Sequence, residues 1–129
     1  MCPVYINRIA SIHAESRNEK PYFSAQEPDY KEMITNANLR RRMSRMIKMG
    51  VACGLECLKD IPSEKVDAII TATGLGCLAD TEKFMNALMD NREQMLNPTA
   101  FIQSTFNTVG AQIALLLKIH AYNVTYVHR

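Results

Sequence analysis

The sequence predicts an α/β layered domain in which helices cross over between strands. Three observations carry that expectation. Short β-branched runs, Val4–Ile12, Val66–Thr73 and Val124–Val127, alternate with segments whose apolar residues recur every three or four positions. The resulting order is β, α, β, α, α, β, which suits crossover connections. The second run passes directly into Gly74-Leu75-Gly76, a tight strand-to-helix turn in which glycine supplies a permissive backbone.

Taken in order, Val4–Ile12 is β-branched and partly alternating, and reads as a first strand. The polar stretch from His13 to Tyr30, with Pro21 and Pro28, is too long for a simple turn. Asn38 reads as the cap of a long helix reaching about Lys59, with Leu39, Met43, Met46, Ile47, Val51, Leu55 and Leu58 on one face. Gly50 and Gly54 lie near that stripe, four apart. Each costs about 1 kcal/mol of helix propensity against alanine, a cost that close approach of another backbone explains. Val66–Thr73 is the second strand. A helix follows from about Asp80 to Asn91, with Phe84, Leu88 and Met85 as inward candidates. Pro98 opens a short turn or helix, and Asn107 is placed to cap a helix over Thr108–Ile119. That last helix is apolar almost all round, so it is expected to be buried on most sides, with Ile113 and Leu116 inside. Val124–Val127 closes the chain as a strand with no capping element after it, which implies that more structure follows.

Composition limits the function classes. The 129 residues are 47% hydrophobic and 22% charged, an ordinary globular mixture and normally one domain. The net charge of +2 comes mostly from Arg40-Arg41-Arg42, Arg45 and Lys48. No aromatic residues interleave with that run and no nucleic-acid motif accompanies it, so it reads as a solvated helix face and nucleic acid is not an expected partner. The N-terminus has no basic lead or long apolar run, and no stretch is long enough for a membrane span. The four cysteines, Cys2, Cys53, Cys57 and Cys77, form no C-x-x-C pair. Reduced thiols and a cytoplasmic location are the expectation.

The remaining motifs are weighed one by one. Gly74-Leu75-Gly76-Cys77-Leu78-Ala79 fits a loose G-x-G-x-x-A dinucleotide fingerprint between strand and helix. No second strand ends in an acid about 20 residues later, as that fingerprint requires; Asp90 and Glu93 fall in or just after a helix. The structural turn is therefore the better reading, with a small nucleotide-binding domain as a rival. Cys77 in that turn is a candidate helix-terminal thiolate. His13, His120 and His128 are remote in sequence and cannot be set beside it as a base, so a semi-buried structural cysteine is preferred. Cys53 and Cys57 share a helix face at i, i+4, but no further Cys or His cluster completes a metal site. No residue is assigned a catalytic, cofactor-binding or metal-binding role, and no cofactor is expected.

Together, the ordered segments resemble the N-terminal domain of β-ketoacyl-acyl-carrier-protein synthases, in particular the divergent aryl-polyene and chain-length-factor-like branch. The matching pieces are the strand Val4–Ile12, the stretch Arg41 to Met49 with its continuation through Ala52 and Leu55, Val66 to Gly76, Asn97 to Ala114, and Tyr122 to Val127. The resemblance spans nearly the whole chain. It implies a thiolase-like layered sandwich, αβαβα with two related halves, of which residues 1–129 form an incomplete first half.

The resemblance also implies a site that this sequence does not contain. In active relatives the strand matching Asn123–Val127 ends at a nucleophilic cysteine on a sharp turn, which by register falls just beyond Arg129. Two later residues, His-His or His-Asn, assist decarboxylation. His128 and Arg129 are unlike the small residues usual before that cysteine, and Ala121 stands where glycine is common. The expected function is that of the N-terminal portion of a ketosynthase-like protein of fatty-acid or polyene biosynthesis. The first alternative is a non-catalytic chain-length-factor-like subunit. An acyl carrier protein and a ketosynthase subunit are the implied partners, in a homo- or heterodimer.

Overall fold

The computed structural model describes residues 3–14 and 25–128. Cys2, Arg129 and much of the polar stretch after His13 lie outside them. Among the described residues, six α-helices and two strands follow one another: α1 (Tyr30–Met33), α2 (Ala37–Arg42), α3 (Arg45–Cys57), β1 (Ala68–Thr73), α4 (Leu78–Asp90), α5 (Pro98–Ser104), α6 (Thr108–Leu117) and β2 (Tyr122–Val127).

The long helix expected from Asn38 to Lys59 is two helices. Asn36, not Asn38, caps the first, its side chain accepting from the N–H groups of Asn38 and Leu39. Met43 and Ser44 then adopt extended backbone and break the run. The apolar spacing continues through the break: Leu39 of α2 is partly buried against the core formed by Met43 in the break and by Ile47 and Val51 of α3, where Ala52 is also buried. Periodicity reports the face, and a two-residue interruption leaves it nearly in phase.

β1 and β2 pair in parallel, Ala68 with Tyr122 through Thr73 with Val127. The connection between them carries α4, α5 and α6, as a parallel pair requires. On the sheet face toward α6, Thr71 and Thr125 sit opposite each other with their hydroxyls 2.5 Å apart. α6 packs over β1, β2 and α3. Its Ile113 is buried, but Leu116 is only half-buried and Leu115 is 61% exposed. The helix is therefore covered on one side, not on most. It ends at Lys118 in the left-handed region (φ 54°), and the Ile119 N–H returns to the Ala114 carbonyl.

The glycines of α3 mark the helix–helix contact. A Cβ on Gly50 would lie 2.7 Å from Val109 Cγ1, and one on Gly54 would lie 2.5 Å from Ile113 Cδ1. Side chains of α6, not another backbone, occupy the space the glycines leave. With Ile34, Ile69 and Ile119 these helices close the core.

Val4–Ile12 is not a strand in this structure. Among the described residues, the pairing nearest that segment is an isolated bridge between Ala14 and Ala25. Val4, Tyr5, Ile6 and Ile9 are all largely exposed. β-Propensity describes how side chains pack on a pleated surface, and here the segment lies on no such surface.

Candidate functional site

The C-terminal ends of parallel strands are where α/β folds gather chemistry. Here that region comprises Thr73, the turn Gly74–Cys77, and His128 beyond β2. The His128 N–H donates to the Thr73 carbonyl (3.1 Å), which extends the parallel ladder past β2. His128, remote in sequence, is thus brought by its backbone to the Gly74 turn. His13 lies elsewhere, against the Ser11 hydroxyl, and His120 is exposed ahead of β2.

The turn is shaped by its own contacts. The Gly76 N–H donates to Thr73 Oγ1 at 2.9 Å, and Gly76 takes a positive φ of 61°. A Cβ there would sit 3.1 Å from Phe106 Cβ. The Gly76 N–H is thus already engaged by Thr73, which leaves the turn one fewer free backbone donor for a phosphate. The turn is locked onto the next elements by Thr81, whose hydroxyl donates to the carbonyls of Cys77 (3.1 Å) and Ser104 (2.9 Å).

Cys77 opens α4 but is buried, and burial, followed by the nearby Asp80 carboxylate, pushes its thiol above the usual range. A depressed pKa is what an activated nucleophile needs, and the burial of Cys77 works in the opposite direction. Cys53 is likewise pushed up by burial and then by Cys57. Cys53, Cys57 and Cys77 are free thiols. Among the described residues, no group of three or more His, Cys, Asp and Glu side chains is arranged to hold a metal ion.

The basic run is more structural than a solvated face. Arg40 Nη1 donates to the Ile34 carbonyl, joining α2 to the end of α1. Arg45 pairs with Glu27. Glu27 also accepts from the Tyr30 hydroxyl at 2.6 Å. Those two hydrogen bonds, Tyr30 first, hold its carboxyl below the usual range. Burial and the bond to Glu27 push the Tyr30 phenol upward. Arg41 and Arg42 remain exposed.

No single described helix is long and apolar enough to cross a membrane. α5 and α6 together have the length and composition, but they meet at 109°, and α6 buries Thr108, Gly110 and Ile113.

A mainly apolar cleft of about 480 Å³ lies between α3, β1 and α6. It holds no nucleophile–base pair. What the region offers is a rigid parallel strand pair with a locked turn at its end.

Comparison with known proteins places this arrangement. The family described as beta-ketoacyl synthase, N-terminal domain, matches residues 13–125, and the chain belongs to that family. No curated protein matches the sequence. Among solved structures, the fold is similar to a chain in the structure of the ketosynthase ApeO in complex with its chain length factor ApeC from Xenorhabdus doucetiae. The TM-score is 0.62 at 23% identity, over 83% of this chain and 41% of that one. The thiolase-like fold expected from the sequence is thereby found, and the chain spans less than half the length of that neighbour.

Proposed function

We propose that the chain is the N-terminal part of a β-ketoacyl-acyl-carrier-protein synthase-like protein of fatty-acid or polyene and polyketide biosynthesis. Its role on this reading is to build the sheet and helix scaffold, and the chain alone does not condense acyl units. The match of the ketosynthase N-terminal family over residues 13–125 carries the reading. Condensation by this family transfers an acyl group to a nucleophile and then joins it to a decarboxylating malonyl thioester. That chemistry needs an activated nucleophile and donors for the developing charge. The buried, upward-shifted Cys77 supplies neither.

The partners on this reading are an acyl carrier protein and a ketosynthase-type subunit, met in the cytoplasm. A second reading makes the chain part of a non-catalytic subunit that pairs with an active synthase. It draws support from the neighbour, in which a ketosynthase is complexed with its chain length factor. In the parent reading frame, a cysteine at the turn after β2 favours the enzyme, and Gly, Gln or Ala there favours the partner subunit.

Association tests the shared part of both readings. The outer edge of β2 has no strand partner among the described residues, and Val124, Tyr126 and Val127 suit pairing. Light scattering at micromolar concentration is expected to show a dimer or larger species. A monodisperse monomer contradicts this. Val124→Pro removes a backbone donor and is expected to weaken the association; persistence in a folded variant assigns it to exposed apolar surface instead.

A further inference from the structure

The C-terminal half of α3 carries two thiols on one side of a firmly held helix. Cys53 and Cys57 stand four residues apart in α3, which sets their Cβ atoms roughly 5–6 Å from each other on one face. Both are free and half-buried. The turn they share follows Val51 and Ala52, which are fully buried and fix the helix on the core. Cys53 borders a cavity beside Met33, and Cys57 borders the apolar cleft between α3, β1 and α6. A small ion therefore reaches either residue without unfolding the helix.

The surroundings select the ion. Among the described residues, no third His, Cys, Asp or Glu side chain completes a group with these two. Zinc takes four ligands in a structural site, so the pair does not suit it. Soft thiolates select monovalent copper, and that ion is satisfied by two of them in line. Two thiolates on one monovalent ion leave one net negative charge. A positive charge is held close by: Arg8 Nη1 donates to the carbonyls of Glu56 (3.2 Å) and Lys59 (2.7 Å), which stand on either side of Cys57 in the chain. That guanidinium sits at the C-terminal end of α3, where the helix dipole alone disfavours negative charge.

We propose that Cys53 and Cys57 form a two-coordinate site for monovalent copper. On binding, each thiol releases its proton to solvent, two S–Cu bonds form, and the ion keeps its oxidation state. The bound ion clips the last turn of α3. The proposal does not rest on the functional reading above and survives or fails apart from it.

Anaerobic titration of the reduced full chain with monovalent copper, in competition with a chromophoric chelator of that ion, tests it. The expected stoichiometry is one ion per chain. Cys53→Ser and Cys57→Ser are each expected to weaken binding at least about tenfold, because one thiolate then replaces a chelating pair. Cys2→Ser and Cys77→Ser are expected to leave it unchanged. Equal affinity in Cys53→Ser and the unaltered chain overturns the proposal. So does binding that depends on Cys2 or Cys77 instead, and so does a ratio of one ion to two chains, which assigns the metal to a bridge between copies. Should a variant not fold, peptide mapping of the unaltered chain after alkylation decides. Copper that shields Cys53 and Cys57 together from iodoacetamide supports the site. Shielding of one of them alone, or of neither, refutes it.

Discussion

The Asn123 side-chain amide donates to the Gly110 carbonyl at 3.0 Å, tying β2 to the helix that covers it. Gly110 has no room for a side chain: a Cβ would meet Asn123 Oδ1 at 2.8 Å and Thr71 Cγ2 at 3.4 Å. Alanine at Gly110 adds about 1 kcal/mol of helix propensity. The clash falls on two strands at once, and overpacking of this kind costs about 1–3 kcal/mol. Gly110→Ala is therefore expected to destabilise, read as a lower urea midpoint. A midpoint equal to or above that of the unaltered chain contradicts the contact.

The α3–α6 contact makes a prediction about coupling. Val109 is β-branched and cannot swing its Cγ1 away from a Cβ on Gly50. Gly50→Ala alone should destabilise by about 1–3 kcal/mol. In a Val109→Ala background the same change should be neutral or favourable, because the helix propensity remains and the clash is gone. The expected coupling is about 0.5–3 kcal/mol in a double-mutant cycle. Simple additivity would show that the two helices do not meet at these residues.

Glu27 links pH to stability. Its carboxyl is held below the ordinary glutamate value of 4.5 by Tyr30 and then Arg45. A depressed folded-state pKa contributes stability that is present above 4.5 and is lost as the pH falls through the folded value. Glu27 should titrate below 4.5 by carboxyl carbon shifts. Arg45→Met is expected to move that midpoint upward. A Glu27 midpoint at or above 4.5 in the unaltered chain contradicts the arrangement.

Much of the fold was legible in the sequence because its signals are local. Val66–Thr73 and Val124–Val127 are β-branched and bounded, and they form β1 and β2 with only terminal differences. Pro98 and Asn107 stand at the starts of α5 and α6 as expected, although Asn107 makes no side-chain cap. The break at Met43 and Ser44 was hidden because it preserves the buried face. The position of Val4–Ile12 was not legible because strand formation depends on a distant edge, not on the segment alone. Leu116 misled for a related reason: an all-apolar helix signals cover, but what covers it is set by the neighbours present.

The site was less legible than the fold. The sequence favours a structural turn at Gly76 and a semi-buried cysteine at Cys77, with a phosphate loop and a reactive thiol as the weaker readings. The contacts that bear on both, Phe106 beside Gly76 and the burial of Cys77, come from residues with no short-range signal. The meeting of His128 with the Gly74 turn likewise depends on parallel register across the whole connection from β1 to β2.

Intact-mass spectrometry after incubation with an acyl-carrier-protein thioester tests the central claim most directly. A scaffold whose Cys77 thiol is buried and shifted upward should stay at its unmodified mass of 14.6 kDa at neutral pH. A stoichiometric acyl adduct on the folded chain, abolished by Cys77→Ala, would contradict the account and place a working nucleophile in the Gly74–Cys77 turn.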